Sequence, residues 1–358
     1  MAKRRAKGEG TIYQNNDGYW IAQITLPNGK RKTKSGKTQK KVKDWLLQER
    51  ESVRKGISIV SEKVTLAEYL TKYLETSKAR LRPKTFASYK YLIEKHITPE
   101  LGHLKVTKLS ADVLQSFYAK KLGEGLSRRT VQYMYAIIHK ALDQAMKWGI
   151  VYTNISDLTD PPRPKKSAPT IWSKEQAKIF LGSIKDDKLY PLYLLAITTG
   201  LRLGELLGIH GEDIDLDHKV LHIRHTVQEI RGTGLIITEP KTEKSKNSIK
   251  LPDIAIDALT PIITSGLIFH TRSGKPVSPR NLQRHFANVC DKIDVPRIRF
   301  HDLRHTCATL LLQADVHPKL VQELLGHSSI SLTLDTYSSV VPGMHDKIAD
   351  EMDKLFNA

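Results

Sequence analysis

A proline-rich stretch near the middle of the chain most restricts how it can fold. Residues 160–169 read DPPRPKKSAP and hold four prolines in ten positions. Because proline removes a backbone donor and fixes φ, this stretch cannot form a helix and favours an extended strap. The 358 residues are enough for two or three domains with their own cores. The sequence therefore predicts a linker at residues 163–170 between separately folded parts.

Residues 1–61 have the pattern of a small sheet followed by a helix. Turn signals, NNDG at residues 15–18 and NG at residues 28–29, flank a run of alternating apolar residues from Trp20 to Leu26. A third strand holds the basic residues of this segment, namely Lys30, Arg31, Lys32 and Lys34. Thr38 is a candidate cap for a helix with Val42, Trp45, Leu46 and Val53 on one side. We expect a three-stranded β-sheet plus helix as the N-terminal domain.

Residues 62–162 have helical periodicity throughout and predict an all-α domain. Apolar residues recur at helical spacing in the first helix, at Leu66, Tyr69, Leu70, Tyr73 and Leu74. Pro83 begins a second helix, and Ser110 and Ser127 are candidate N-caps of two more. The last helix has a long apolar stripe, made of Val131, Met134, Ile138, Ala141, Leu142 and Ala145.

Residues 171–358 read as a mixed, mainly-α domain with a small antiparallel sheet. Helices are expected at residues 174–184 and 190–199, and strands at residues 220–228, 235–238 and 248–251. Helical patterns then dominate to the end. The whole chain is thus predicted to be multidomain, with the three parts in this order.

The charge of the chain favours a nucleic-acid partner. The formal net charge is +19, and residues 1–64 hold sixteen Lys and Arg against six Asp and Glu. A membrane surface is the alternative, but there is no amphipathic basic helix with an aromatic face and no apolar run of spanning length. The first residues, MAKRRAKGEG, lack the apolar stretch of a signal peptide, and the two cysteines fit a reducing cytoplasm.

Two groups of basic residues are candidates for contacting double-stranded DNA. Lys30, Arg31, Lys32 and Lys34 are expected on an exposed sheet face, and a β-ribbon fits the major groove. Arg128 and Arg129 fall in the first turn of a helix, where they oppose its dipole and suggest a nearby anion. A solvated basic hairpin and an exposed helix end are the simpler alternatives. The basic residues of the linker suit a tether that lies along DNA. A plain spacer between domains is the other interpretation of the linker.

Six residues in the last domain can together cleave a phosphodiester. They are Arg202, Lys241, His301, Arg304, His327 and Tyr337. The phenol can be the nucleophile, the guanidinium groups suit phosphate oxygens, and a loop lysine can protonate the leaving hydroxyl. The two imidazoles can donate to phosphate oxygens or shuttle a proton. Each residue alone is more ordinarily a packing, capping or surface residue, so the prediction depends on the ordered set.

No cofactor and no metal are expected in this reaction. The sequence has no Gly-rich phosphate cradle, which argues against ATP. No group of Asp and Glu beside the six residues has a convincing metal spacing. Cationic side chains would therefore replace a metal.

The chain resembles the tyrosine recombinase family, and most closely its phage-type and conjugative-element integrases. TTGLRLGELLGI is similar to the first arginine box, with Arg202 as a catalytic residue and Glu205 as its acidic support. PKTEKSKNSIKLP resembles the lysine hairpin, and HDLRHTCATLLL and LGHSSISLTLDTYSSV resemble the last two boxes. The resemblance implies that residues 62–162 bind core DNA sites and residues 1–61 bind separate arm sites.

The resemblance also implies a mechanism and partners. Tyr337 would form a 3′-phosphotyrosyl bond and release a 5′-hydroxyl, and a homotetramer would exchange strands between two attachment sites. DNA-bending and excisionase-type proteins are further candidate partners, and the cytoplasm of a bacterial host is the expected location. A predicted helix at residues 343–356 could dock on its own domain or on a neighbouring subunit.

Two other functions stay open from the sequence. A DNA-binding regulator that no longer cuts is one, although Tyr337 and both arginines argue against it. A topoisomerase with the same chemistry is the other. The separate basic N-terminal segment and the linker favour recombination.

Overall fold

The computed structural model describes residues 9–26, 29, 31–54, 64–164, 170–240 and 248–326. The chain divides into two compact units, residues 1–166 and 167–358. The boundary falls inside the proline-rich stretch, whose residues 160–164 have no regular secondary structure. The division of the first unit at residue 61 stays a prediction.

The first unit begins with a three-stranded antiparallel sheet and a helix. Strands β1 (Thr11–Gln14), β2 (Trp20–Thr25) and β3 (Arg31–Gly36) lie in chain order, and helix α1 (Gln39–Arg54) packs against β2 and β3. The turn between β1 and β2 is closed by a 2.8 Å hydrogen bond from the Tyr19 N–H to the Asn15 side chain. A small core lies under the helix and consists of Ala22, Ile24, Leu26, Val42, Leu46 and Tyr152.

The basic residues of β3 do not share one face, contrary to expectation. Lys32 pairs across the sheet with Ile24 and Lys34 pairs with Ala22, so both lysines point to the side that α1 covers. There Lys32 forms a 3.2 Å ion pair with the buried Glu49. Arg31 points to the open side, and Lys30 lies outside the described residues. The reason is the two-residue period of a strand, which alternates neighbouring side chains between the faces.

The described part of the first unit after α1 contains five α-helices. They are α2 (Leu66–Ser77), α3 (Pro83–Leu92), α4 (Thr98–Leu101), α5 (Ala111–Gly123) and α6 (Arg128–Lys147). Both predicted serine caps are present, with Ser110 accepting from the Val113 N–H at 3.3 Å and Ser127 from the Thr130 N–H at 3.1 Å. The predicted apolar stripes of α2 and α6 are buried in one core. Arg128 and Arg129 are exposed in the first turn of α6, where an anion site stays a prediction.

Helix α3 runs into α4 through a π-helical turn at Ile93–Ile97, which the sequence pattern did not indicate. Pro99 stands in the first turn of α4. It has no N–H to bond the carbonyl four residues earlier, and its ring would collide with that carbonyl in a regular helix. Widening the preceding turn relieves this conflict.

In its described residues, the second unit has two small sheets and seven α-helices. They are α7 (Lys174–Ser183), α8 (Tyr190–Thr199), α9 (Leu203–Leu207), α10 (Asp253–Leu259), α11 (Pro279–Cys290), α12 (Asp302–Gln313) and α13 (Pro318–Leu325). Helix α8 is apolar on nearly every side and is the buried centre of the unit. Its neighbours include a cluster of aromatic rings from Trp172, Phe180, Phe286 and Phe300. None of the helices in the described ranges has both the length and the apolar composition that a membrane crossing requires.

The strands found among the described residues of the second unit form two sheets, where one sheet was expected. Strands β4 (Ile214–Asp215), β5 (Val220–His222) and β8 (Ser248–Lys250) form the first sheet, in the order β4-β5-β8. Strands β6 (Thr226–Ile230) and β7 (Gly234–Thr238) form a separate hairpin. The predicted strand at residues 220–228 is therefore broken at residues 223–225. At this break the chain leaves β5 and turns to pack against the end of α9.

Candidate active site

Arg202 stands in a tight turn between the buried helix α8 and the short helix α9. Helix α8 ends at Gly200, whose φ of 64° lies in the left-handed region that glycine adopts without strain. Two residues later Arg202 has extended backbone angles and forms the N-terminal boundary of α9. The turn therefore presents Arg202 at the end of a rigid, buried element.

Glu205 holds Arg202 in place through two hydrogen bonds. The Arg202 backbone N–H donates to the Glu205 carboxylate at 2.9 Å, and the Arg202 Nη1 donates to it at 2.8 Å. The Glu205 side chain is only 7% exposed, whereas that of Arg202 is 40% exposed. The predicted supporting carboxylate thus anchors the guanidinium through one nitrogen and leaves the side chain partly accessible.

Arg304 is buried, with only 4% of its surface exposed, and the protein holds it differently from Arg202. It lies in the first turn of α12, and its Nη1 donates to the Gly200 carbonyl at 2.8 Å. Its Nη2 donates to the Leu325 carbonyl at the end of α13. Arg304 therefore ties the turn before Arg202 to the helix that leads into His327.

Gly200 leaves no room for a side chain at this junction. A Cβ added there would lie 2.5 Å from the Leu325 side chain and 3.4 Å from the Cys307 sulfur. Gly200 therefore allows α8 and α13 to approach each other closely. The hydrogen bonds of Arg304 to the Gly200 and Leu325 carbonyls depend on this close approach.

His301 lies at the N-terminal boundary of α12, near both arginines. Desolvation by the surrounding protein, together with the positive charges of Arg304 and Arg202, lowers the pKa of His301 from its ordinary value. The Arg304 backbone N–H donates to the His301 carbonyl at 3.2 Å, and the Arg304 side chain bonds the Gly200 carbonyl, two residues before Arg202. These three predicted residues therefore lie at one junction. A lowered pKa keeps His301 mainly neutral at pH 7.

Arg299 and Asp302 fix the start of α12 and were not singled out from the sequence. Arg299 donates to the Asp302 carboxylate from Nε at 3.0 Å and from Nη2 at 2.8 Å. Burial opposes ionisation of Asp302, but the hydrogen bonds from Arg299 outweigh it and lower the pKa of this carboxyl. The sequence feature that could have indicated this pair is an Arg placed three residues before an Asp at the predicted start of a helix. This clamp holds His301, which lies between them.

His305 is a second imidazole beside His301 without a predicted role. The ring centroids are 5.4 Å apart and nearly perpendicular, as one helical turn of α12 brings them to the same side. Desolvation and the neighbouring His301 lower the pKa of His305. The second histidine of HDLRH was visible in the sequence as a residue four positions after the first.

Two glycines four residues apart, Gly204 within α9 and Gly208 directly after it, bring this helix close to β6 and to the residue before β6. A Cβ added at Gly204 would lie 2.7 Å from the Val227 carbonyl oxygen, and one added at Gly208 would lie 2.7 Å from the His225 carbonyl oxygen. Strand β6 pairs with β7, and the chain after β7 leads to Lys241. The two glycines therefore set the distance between Arg202 and the hairpin before Lys241.

We expect Gly204→Ala to separate α9 from β6 and to lower stability by about 1–3 kcal/mol, the usual cost of overpacking a tight site. Any DNA-cleaving activity should fall with it, because Arg202 moves with α9. Gly182→Ala is the matched control, since Gly182 is in helix α7 and nothing lies within 4 Å of an added Cβ. Thermal unfolding of both variants checks this. Equal melting temperatures for the two would contradict the close packing.

Three of the six predicted catalytic residues lie outside the described residues. They are Lys241, His327 and Tyr337. The described residues end one position before His327, at Gly326, which ends α13 with a left-handed φ of 61°. The structure thus brings together Arg202, Glu205, His301 and Arg304, and the roles of all six stay predictions. The helix predicted at residues 343–356 also lies outside the described residues.

Comparison with known proteins identifies the family. The phage integrase family matches residues 174–342, and the phage integrase N-terminal SAM-like domain matches residues 65–122. A tyrosine recombinase XerC-like protein of Caldanaerobacter subterraneus subsp. tengcongensis is 27% identical, over 96% of this chain and 98% of the relative. The chain therefore belongs to the phage integrase family of tyrosine recombinases, which are DNA-cutting and rejoining enzymes.

Two solved structures show the same fold. A Tn1549 transposon integrase in complex with transposon right end DNA has a TM-score of 0.70 at 22% identity, over 82% of this chain and 99% of that one. A lambda integrase tetramer bound to a Holliday junction has a TM-score of 0.60 at 20% identity, over 93% of this chain and 96% of that one. The predicted fold class, with a sheet-plus-helix N-terminal part, an all-α part and a mixed part, is confirmed.

Proposed function

We propose that this enzyme is a site-specific integrase that inserts and excises a mobile element by cutting and rejoining DNA through a 3′-phosphotyrosine at Tyr337. The observation that carries the proposal is the convergence of Arg202, His301 and Arg304 where the end of α8 and the start of α12 meet. Family membership supports the chemistry, and the likeness to a transposon integrase supports the mobile element.

In the proposed reaction, the Tyr337 phenolic oxygen attacks the scissile phosphorus and the bond to the 5′ oxygen breaks. The phenolic proton passes to a neutral imidazole, for which His301 is suited by its lowered pKa. Lys241 gives a proton to the leaving 5′ oxygen, and His327 donates to a non-bridging oxygen. The tyrosyl ester conserves the phosphodiester energy, so a 5′-hydroxyl can reverse the step without ATP.

The two arginines contribute differently to the charge that develops on phosphate. Arg202 is partly exposed, and only its Nη1 is bonded to Glu205, so its other guanidinium nitrogens can approach a bound DNA strand. Arg304 supplies a fixed positive charge from within the protein while it positions the neighbouring loops. A preorganised cation in a partly desolvated site stabilises an oxyanion more strongly than one in water.

The proposed partners are double-stranded DNA at core and arm sites and three further copies of this chain. The lambda integrase tetramer on a Holliday junction, which has the same fold, supports the assembly. Residues 62–162 would bind core sites, and residues 1–61 would bind arm sites with Arg31 on the open sheet face. A DNA substrate of this kind favours the bacterial cytoplasm as the location. DNA-bending and excisionase-type proteins stay candidate partners.

A nicked suicide substrate tests the proposal. The nick lets the short 5′-hydroxyl fragment diffuse away after cleavage, so the covalent intermediate accumulates. We expect a denaturation-resistant protein–DNA adduct on an attachment site and recombined products on two-site plasmids. Absence of any adduct would instead indicate a DNA-binding regulator. An adduct with relaxed plasmid as the only product would indicate a topoisomerase.

The exposed arginines at the start of α6 give a separate prediction about DNA binding. Arg128→Ala and Arg129→Ala should each reduce the slope of log K against log salt by about 0.9 for every phosphate that the variant no longer neutralises. Lys120→Ala is the control, because Lys120 already forms a 2.7 Å ion pair with Glu100. Binding titrations at several salt concentrations measure the slopes. Unchanged slopes in both arginine variants would exclude them from the DNA interface.

A further inference from the structure

A cluster of two histidines and an aspartate lies at the far end of α9 from Arg202. His210 immediately precedes the 3₁₀ turn Gly211–Asp213, Asp213 is the last residue of that turn, and His225 immediately precedes β6. One candidate ligand atom from each residue lies within 4.8 Å of the other two. The imidazole rings of His210 and His225 have centroids only 4.4 Å apart.

The carboxylate at the centre of this cluster is buried and fixed. The Asp213 side chain is 3% exposed, and one of its oxygens accepts the His210 backbone N–H at 3.1 Å. That same oxygen lies 3.7 Å from the His210 Nδ1 and 3.6 Å from the His225 Nδ1. Both separations are too long for hydrogen bonds, although the rings are held beside the carboxylate.

The His225 Nδ1 is buried and has no hydrogen-bond partner. A buried polar atom of this kind costs free energy unless something binds it. The neighbouring imidazole is oriented by a 2.9 Å hydrogen bond between the His210 Nδ1 and the Gly208 carbonyl. If Nδ1 is the donor, Nε2 carries the lone pair, which is the arrangement that backbone carbonyls impose on metal-binding histidines.

These donors have the composition and the spacing of a metal site. Two imidazoles and one carboxylate suit Zn²⁺, whose bonds to nitrogen and oxygen are about 2.0–2.2 Å long. Ligand atoms around a tetrahedral ion are then roughly 3.3–3.5 Å apart. The 3.6 Å between the His225 Nδ1 and the Asp213 oxygen is close to that distance.

We propose that His210, Asp213 and His225 form a binding site for a divalent transition metal, with Zn²⁺ as the expected ion. The site is separate from the proposed DNA-cleaving residues. It links the C-terminal end of α9 to the start of β6, two elements that already touch at Gly208. A bound ion would therefore fix α9, which begins at Arg202, against the β6–β7 hairpin that leads to Lys241.

Zinc binding to the full-length, tag-free protein tests this site. After removal of metal with a chelator, titration of Zn²⁺ against a competing chromophoric chelator should show one site that His225→Asn weakens at least about tenfold. His210→Asn should weaken it similarly. Zinc should raise the melting temperature of the parent protein but not of either variant. His222→Asn is the control, since His222 lies on β5 and contacts Ser248 instead.

Co²⁺ provides a readout of the coordination itself. A four-coordinate cobalt site absorbs visible light, and this band should be present in the parent protein and in His222→Asn but absent in His225→Asn. The chain has fourteen histidines, so zinc bound equally well by the parent, His210→Asn and His225→Asn would be adventitious and would overturn the proposal. Absence of zinc binding at micromolar concentration would also overturn it and leave an ordinary His–Asp contact. If one variant does not fold, the other decides.

Discussion

Tyr337→Phe should abolish covalent capture of DNA and strand exchange while leaving DNA affinity unchanged. The substitution removes only the phenolic oxygen, which is the proposed nucleophile, and keeps the ring. Basic residues elsewhere in the chain supply the affinity, because phosphate contacts dominate DNA binding. The measurement compares adduct formation on a nicked site with binding by mobility shift.

Tyr190→Phe is the matched control for this result. Tyr190 begins α8 and has no proposed contact with DNA, so its variant should form adduct at the parent rate. An adduct that persists in Tyr337→Phe would show that another residue attacks the phosphate. Loss of DNA binding in that variant would show that the phenol has a structural role instead.

Arg304→Lys should lower both stability and activity, whereas Arg202→Lys should lower activity alone. A lysine at position 304 cannot bridge the Gly200 and Leu325 carbonyls, and it leaves a buried charge poorly paired. The expected loss is about 3 kcal/mol in unfolding free energy, the scale of breaking a buried charged network. Because Arg202 is partly exposed, Arg202→Lys should lower the free energy of unfolding by no more than about 1 kcal/mol.

Both substitutions should slow adduct formation by roughly 10²–10³-fold, the usual effect of removing one oxyanion donor. Urea unfolding and single-turnover cleavage measure the two effects separately. Normal stability in Arg304→Lys would contradict the structural bridge. A marked loss of stability in Arg202→Lys would contradict the distinction between the two arginines.

The helical parts of the fold could be predicted because their signals are local. The serine caps at positions 110 and 127 and the apolar stripe of α6 depend on spacing within one helix, and the structure has all of them. A local rule, the alternation of side chains along a strand, also predicts which side of the sheet each residue of β3 faces. Alternation places Lys32 and Lys34 opposite Arg31, yet the charge of the segment suggested a single basic face.

Long-range contacts explain what the sequence could not show. Arg304 reaches carbonyls of residues 200 and 325, which are far away in the chain, so neither its burial nor its bridging role follows from HDLRH. The break between β5 and β6 depends on the approach of Gly208 to residue 225. The sequence indicated which residue types could carry the chemistry. The contacts that hold each residue in place could be seen only in the folded structure.

Peptide mapping of the trapped adduct tests the central proposal most directly. After denaturation, nuclease treatment and proteolysis of the complex formed on a nicked site, mass spectrometry should find the nucleotide remnant on the peptide that contains Tyr337. The phosphate should join the phenolic oxygen to a 3′ end. A remnant on any other residue, or one attached through a 5′ phosphate, would contradict the proposed reaction.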